Sequence, residues 1–209
     1  MTTTKKKTTT TRKKASTTKK VTATKPKAAP QKVPELSKNP FVYEVLSAAS
    51  KMRSNAKKVE VLQRYGDPSL KAVLIWNFDE TITTLLPEGD VPYGNNKTDE
   101  LTTGTLTDKI NDAVDKMGEL KTTSLGSSDQ GQTSIRREYT KFYNFLKGGN
   151  PGMNGLRRES MFIDMLEGLH PLEAEILCLV KDRKLTDKYK ITKDNVSEAY
   201  PDITWGGRG

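Results

Sequence analysis

The first 34 residues contain no Leu, Ile, Phe, Tyr or Trp and no acid, yet they carry eleven Lys and Arg. A segment with so little apolar surface cannot offset the conformational entropy lost on ordering. Residues 1–38 therefore read as a disordered Lys/Thr-rich basic arm. Any core must come from residues 39–203, with 204–209 a flexible tail. From residue 35 onward the chain holds the other 24 basic residues against all 26 acidic ones, so the body is close to neutral while the protein totals +9.

Within the body the apolar pattern is helical. Phe41, Val42, Val45, Leu46, Ala49 and Met52 form one stripe. Ser54 or Asn55 can start a second helix with Val59, Leu62 and Tyr65 inward and Gly66 at its end. Asp67-Pro68 signals a third, running through Asn77. Its centre, Ala72–Trp76, is apolar all round, which marks the central core helix or, less well, a buried strand. Phe78–Leu86 fits a short helix or an extended segment. Pro87–Gly94 is loop, and its nearby carboxylates Asp79, Glu80, Glu88 and Asp90 lack calcium-loop spacing and read as solvated.

Residues 94–132 are rich in Thr, Ser, Gly and Asn. One amphipathic helix, Thr107–Leu120, sits among them, and the span reads as a mobile polar insertion that packs weakly. Order resumes with two similar segments. Ile135-Arg136-Arg137-Glu138 leads into Tyr139, Phe142, Tyr143 and Leu146. After a Gly-rich connector, Leu156-Arg157-Arg158-Glu159 leads into Phe162, Ile163 and Leu166. Cations at a helix start oppose its dipole. An anion such as phosphate can offset that, held by backbone N–H groups and Arg forks. So can pairing with Glu138, Glu159, Asp164 or Glu167.

His170-Pro171 starts the densest helix, with Leu172, Ile176, Leu179 and Val180 on one face and Leu177 and Cys178 widening it. Lys181, Arg183 and Lys184 close it in accord with the dipole. The stretch Leu185–Tyr200 resembles a helix-turn-helix, with Leu185, Tyr189, Ile191, Val196 and Ala199 inward and Thr192 as a cap. It departs at Lys190, where the turn usually has Gly in the left-handed region, and at Thr186. Its outward set, Thr192, Lys193, Asp194, Ser197 and Glu198, has one positive and two negative charges. The element is either a DNA reader or a helical corner completing the core. Trp205 is either a plug on that core or a hook for a partner.

No constellation demands chemistry. His170, the only His, suits a cap or filler, and Cys178 an inert core thiol. One Cys and one His exclude a zinc cluster and an internal disulfide, so no metal or cofactor is expected and the chain reads as non-enzymatic. No apolar run exceeds five residues, the length of Ala72–Trp76, far below a membrane span.

The pieces Phe41–Leu46, Leu74–Glu80, Leu85–Tyr93, Leu156–Phe162, Met165–Lys181 and Ile203–Arg208 together resemble an uncharacterised protein family of T4-like, mainly marine and cyanobacterial, phages. The resemblance covers roughly residues 38–93 and 133–208. It implies a phage protein acting in the cytoplasm of the infected bacterial host or in the virion, and supplies no active site. The expectation is an all-α protein, a single small helical domain with a disordered basic arm, serving as a nucleic-acid-binding accessory. Its contacts would come from Lys5, Lys6, Lys7, Arg12, Lys13, Lys14, Lys19 and Lys20 of the arm and from Arg136, Arg137, Arg157, Arg158 and Lys193 of the body. The partner is nucleic acid, foremost DNA. A phage or host protein partner, in a virion or effector role, is the alternative.

Overall fold

A computed structural model describes residues 1–2, 32–92, 104–120 and 131–207. The arm expected over residues 1–38 thus lies almost wholly outside the described residues. The fold is all-α: α1 (Val42–Ser50), α2 (Asn55–Arg64), α3 (Pro68–Phe78), α4 (Leu106–Leu120), α5 (Ile135–Glu138), α6 (Gly155–Gly168), α7 (Pro171–Lys181), α8 (Leu185–Lys188) and α9 (Lys193–Ala199). A 3₁₀ segment, Tyr139–Phe145, continues α5.

Start signals do what their chemistry dictates. Asp67 Oδ1 accepts from Leu70 N at 2.8 Å, and Pro68 occupies the first turn of α3. The all-round apolar character of α3 follows from its place: it packs against α5, the 3₁₀ segment and α7. Trp76 is buried there, its ring 5.1 Å from Phe142 edge-on, and its Nε1 donates to Thr84 Oγ1 at 2.9 Å. Phe145 continues the aromatic core onto Phe162 of α6 at 5.2 Å.

The segment after α3 is extended. Leu85 N donates to Phe145 O at 2.8 Å and Lys147 N to Thr83 O at 2.9 Å, an isolated antiparallel bridge. Asp79 is not a solvated loop carboxylate. It is buried, accepts from Thr81 N at 3.0 Å and from Gly206 N at 3.1 Å, and so fastens the C-terminal tail. Trp205 is half-buried against the core as a plug.

Two further expectations change. Tyr143, which the sequence sets in one run with Phe142 and Leu146, is 52% exposed, and Phe145 is fully buried. The cause is helix type: at three residues per turn, 139, 142 and 145 share a face. α4, expected to pack weakly, lies on α7 with Leu106 2% and Ile110 6% exposed. A narrow stripe suffices to dock a helix whose other faces are polar.

Candidate nucleic-acid interface

The eight arm cations Lys5, Lys6, Lys7, Arg12, Lys13, Lys14, Lys19 and Lys20 lie outside the described residues. The chain is fixed to the body just after them. Tyr65, at the end of α2, donates its hydroxyl to Pro34 O at 3.1 Å and accepts from Leu36 N at 3.0 Å.

The body cations divide sharply. Arg158 is only 7% exposed. Its Nε donates to Asn144 O at 2.7 Å, and its Nη2 to Met153 O at 2.9 Å and Asn150 O at 3.4 Å. It therefore holds the Gly-rich connector from beneath rather than offering charge to a phosphate. The connector also needs glycine: a Cβ at Gly149 would fall 1.9 Å from Tyr143 O. Arg136 donates to Pro40 O at 3.0 Å and pairs with Asp67 at 2.6 Å. The expected partners Glu138, Glu159, Asp164 and Glu167 are not the groups that hold these two arginines. Backbone carbonyls and the carboxylate of Asp67, the cap residue of α3, take them. Their neighbours Arg137 and Arg157 are exposed.

Beside Arg136 lies a group with no sequence signal of its own. Glu173, in the first turn of α7, is 1% exposed. Its Oε1 accepts from Val42 N at 3.1 Å and its Oε2 from Ile135 N at 2.8 Å, the first residues of α1 and α5. Burial raises its pKa above the usual carboxylate value. The two N–H groups and the Arg136 charge pull the other way without cancelling it.

At the C-terminal end, Leu185, Tyr189, Ile191, Val196 and Ala199 are buried, and Thr192 Oγ1 accepts from Asn195 N at 3.4 Å as the cap of α9. Lys190 does not adopt the left-handed conformation. That falls to Arg183 at φ 58°, whose guanidinium donates to Ile82 O and, at 3.4 Å, to Asp79 O. α9 packs on α2 and presents Thr192, Asp194 and Glu198 to solvent. Lys193 sits 5.3 Å from the Trp205 ring and 3.8 Å from Glu80.

A different set of cations converges. Lys190 N donates to Ser50 Oγ at 3.3 Å, and Lys58 Nζ donates to Lys190 O. These bonds bring the α8–α9 turn, with Lys188 and Lys190, onto the α1–α2 corner, with Lys51, Arg53, Lys57 and Lys58. The two segments are 140 residues apart at the Lys190–Ser50 bond, so no local pattern announces the cluster.

His170, Cys178 and Lys181 are each committed to the fold. His170 Nδ1 accepts from Leu172 N at 3.2 Å, capping α7, and its ring stacks on Tyr43 at 4.9 Å. Burial pushes the Cys178 thiol up to about 12, which suppresses its thiolate. Lys181, buried, donates to Pro87 O at 2.8 Å and Gly89 O at 2.9 Å, pinning that loop. Among the described residues, no cluster of three or more His, Cys, Asp or Glu side chains is placed to hold a metal ion. Among them, too, no helix is long and apolar enough to cross a membrane.

A family model described as a family of unknown function (DUF6433) matches residues 45–116 and 122–187. The match takes in Leu106–Lys116 of α4, so it enters the span 94–132 that lies outside the resemblance given by the sequence. No curated protein and no solved structure matches the chain.

Proposed function

Because the chain belongs to that family of unknown function, and membership brings no chemistry with it, we propose from its own residues that it is a non-enzymatic nucleic-acid-binding accessory protein. In this reading it is phage-encoded, and acts on DNA in the cytoplasm of the infected bacterium. The arm supplies sequence-independent phosphate contacts. The observation that carries the reading is the segregation of charge: eleven cations and no acid in residues 1–34, against a body that is nearly neutral. Lysines that neutralise phosphates release counterions, so affinity from such an arm falls steeply with salt. The arm has no aromatic or aliphatic anchor for a membrane surface.

The direct test is affinity for a labelled duplex across salt, with the full chain and with a chain lacking residues 1–30. The full chain is expected to show a steep log–log slope, about −0.9 per phosphate neutralised. The shortened chain is expected to show a much shallower one. Equal, weak, salt-insensitive binding by both removes the arm from the account. A second reading is favoured by one observation: Leu156 is 74% and Tyr143 52% exposed at the two ends of the Gly-rich connector. Exposed apolar side chains of this size suit a protein partner, in the virion or in the host. Mass spectrometry of purified particles and pull-down from infected cells separate those two.

A further inference from the structure

Helix starts are poor places for cations, and at α5 and α6 the fold supplies the answer, through Asp67 and Pro40 for Arg136 and through three carbonyls for Arg158. α2 is different. Ser54 makes no side-chain cap, the first turn has no acid, and Lys57 and Lys58 follow immediately. The positive end of the helix dipole thus adds to their charge. Around it stand Lys51 and Arg53 from the preceding connector and Lys188 and Lys190 from the α8–α9 turn. Lys51, Arg53, Lys188 and Lys190 are exposed. Against the five lysines of this group stand Glu60, which pairs with Lys57 at 2.5 Å, Glu175, which pairs with Lys188, and the exposed Asp187. The corner stays positive on a body that is not.

We propose that this corner is the body's seat for a nucleic-acid phosphate backbone. The proposal deepens the nucleic-acid reading above and rests on it. It replaces Arg136, Arg137, Arg157, Arg158 and Lys193 as the body's contribution. Charge is all the corner offers. Met52 at its centre is buried, and the exposed large hydrophobics among the described residues of the body, Leu85, Tyr143 and Leu156, belong to other segments. A protein partner needs a buried apolar or aromatic anchor to gain affinity. A phosphate backbone needs only cations spaced along it. α2 also ties the corner to the arm's root: at 1.5 Å per residue it spans roughly 12 Å from Lys57 to Tyr65.

The experiment uses full-length protein and a short labelled duplex, reading the log–log salt slope. Four chains are compared: wild type; Lys51→Gln with Arg53→Gln and Lys190→Gln; Arg137→Gln with Lys147→Gln and Arg157→Gln; and an arm variant with its eight named cations changed to Gln. The corner triple is expected to shallow the slope by about 2 to 3, at roughly 0.9 per lost contact. The second triple is expected to match wild type. A charge-keeping triple, Lys51→Arg with Arg53→Lys and Lys190→Arg, is expected to keep the wild-type slope, and its loss there overturns the proposal by making the effect structural. A corner triple with the wild-type slope, beside an arm variant that loses it, overturns the corner and leaves the arm reading intact. A salt-insensitive wild type removes both. A corner triple that keeps its duplex slope but loses binding to poly-glutamate reassigns the surface to acidic polypeptides and overturns the proposal.

Discussion

Replacing Glu173 by Ala tests the physical account of the fold most directly. The carboxylate serves two backbone donors, Val42 N at 3.1 Å and Ile135 N at 2.8 Å, 131 and 38 residues away in sequence. Ser134 occupies the cap position of α5 but makes no side-chain cap there, so Glu173 does that work from another helix. Hydrogen bonds to a charged acceptor contribute about 1.5–3 kcal/mol each, and an orphaned buried donor costs a similar amount. Two such bonds give about 3–6 kcal/mol gross. Against this stands the burial cost of the carboxylate, visible in its raised pKa. The net expectation is about 2–4 kcal/mol. For a domain of this size that corresponds to a fall in Tm of roughly 4–16 °C, at about 2–4 °C per kcal/mol. Urea unfolding followed by tryptophan fluorescence measures the energy. Amide exchange locates it, since the Val42 and Ile135 amides should lose protection first. A loss below about 1 kcal/mol, with both amides still protected, would refute the reasoning. The pH dependence has a fixed sign. The native state holds the Glu173 proton more tightly than the unfolded chain, whose value is near 4.5. Its linked contribution is therefore fully present below that pH and is lost as pH rises through the higher native value. The gap between wild type and Glu173→Gln should narrow over that window.

Arg158→Ala strips a buried fork from three carbonyls and should cost about 2–4 kcal/mol in chemical denaturation, whereas Arg157→Ala, one residue away and exposed, should stay within about 0.5 kcal/mol. Equal effects would mean the two arginines are not divided as described. Cys178, its thiol pushed from 9.0 to about 12, should react with a thiol reagent at pH 8 roughly 1,000-fold more slowly in the native protein than in urea. Comparable rates in the two states would contradict its burial.

Much of the helical body was legible because its signals are local. Asp67-Pro68 and His170-Pro171 are short-range start signals, and the Leu172–Val180 stripe repeats at the helical period. What was not legible depends on groups far apart in sequence. Glu173 reads as an ordinary first-turn acid until α1 and α5 are laid beside it. Lys181 reads as a dipole-matching cation until the Pro87–Gly89 loop folds over its ammonium group. Tyr143 faces solvent and Phe145 the core because the segment winds at three residues per turn, where an α-helix would have 3.6. α4 was undervalued because composition averages over faces, and only one face needed to be apolar. The cations of the arm are plain in the sequence, whereas the bonding of Arg136 and Arg158 inside the body is not. Arginine pairs are conspicuous in a sequence, and the corner of lysines exists only after folding.

The fate of the arginines bears on what kind of binding to expect. Arg136, Arg158 and Arg183 aim their forks at backbone carbonyls of the body itself. A planar guanidinium with several fixed donors suits that work, and the same geometry is what bidentate reading of a guanine edge requires. The arm, by contrast, has ten Lys and one Arg, and the exposed face of α9 carries Asp194 and Glu198. Lysine is a mobile point charge that finds phosphate without specifying a base. The chain should therefore bind unrelated duplexes of equal length with affinities within a few-fold of one another at fixed salt, since phosphate contacts carry no base information. Competition between two duplexes of unrelated sequence measures this. A preference beyond about 100-fold would demand a base-reading group worth roughly 2.7 kcal/mol. That would return attention to Arg137 and Arg157, the arginines of the two pairs whose side chains face solvent.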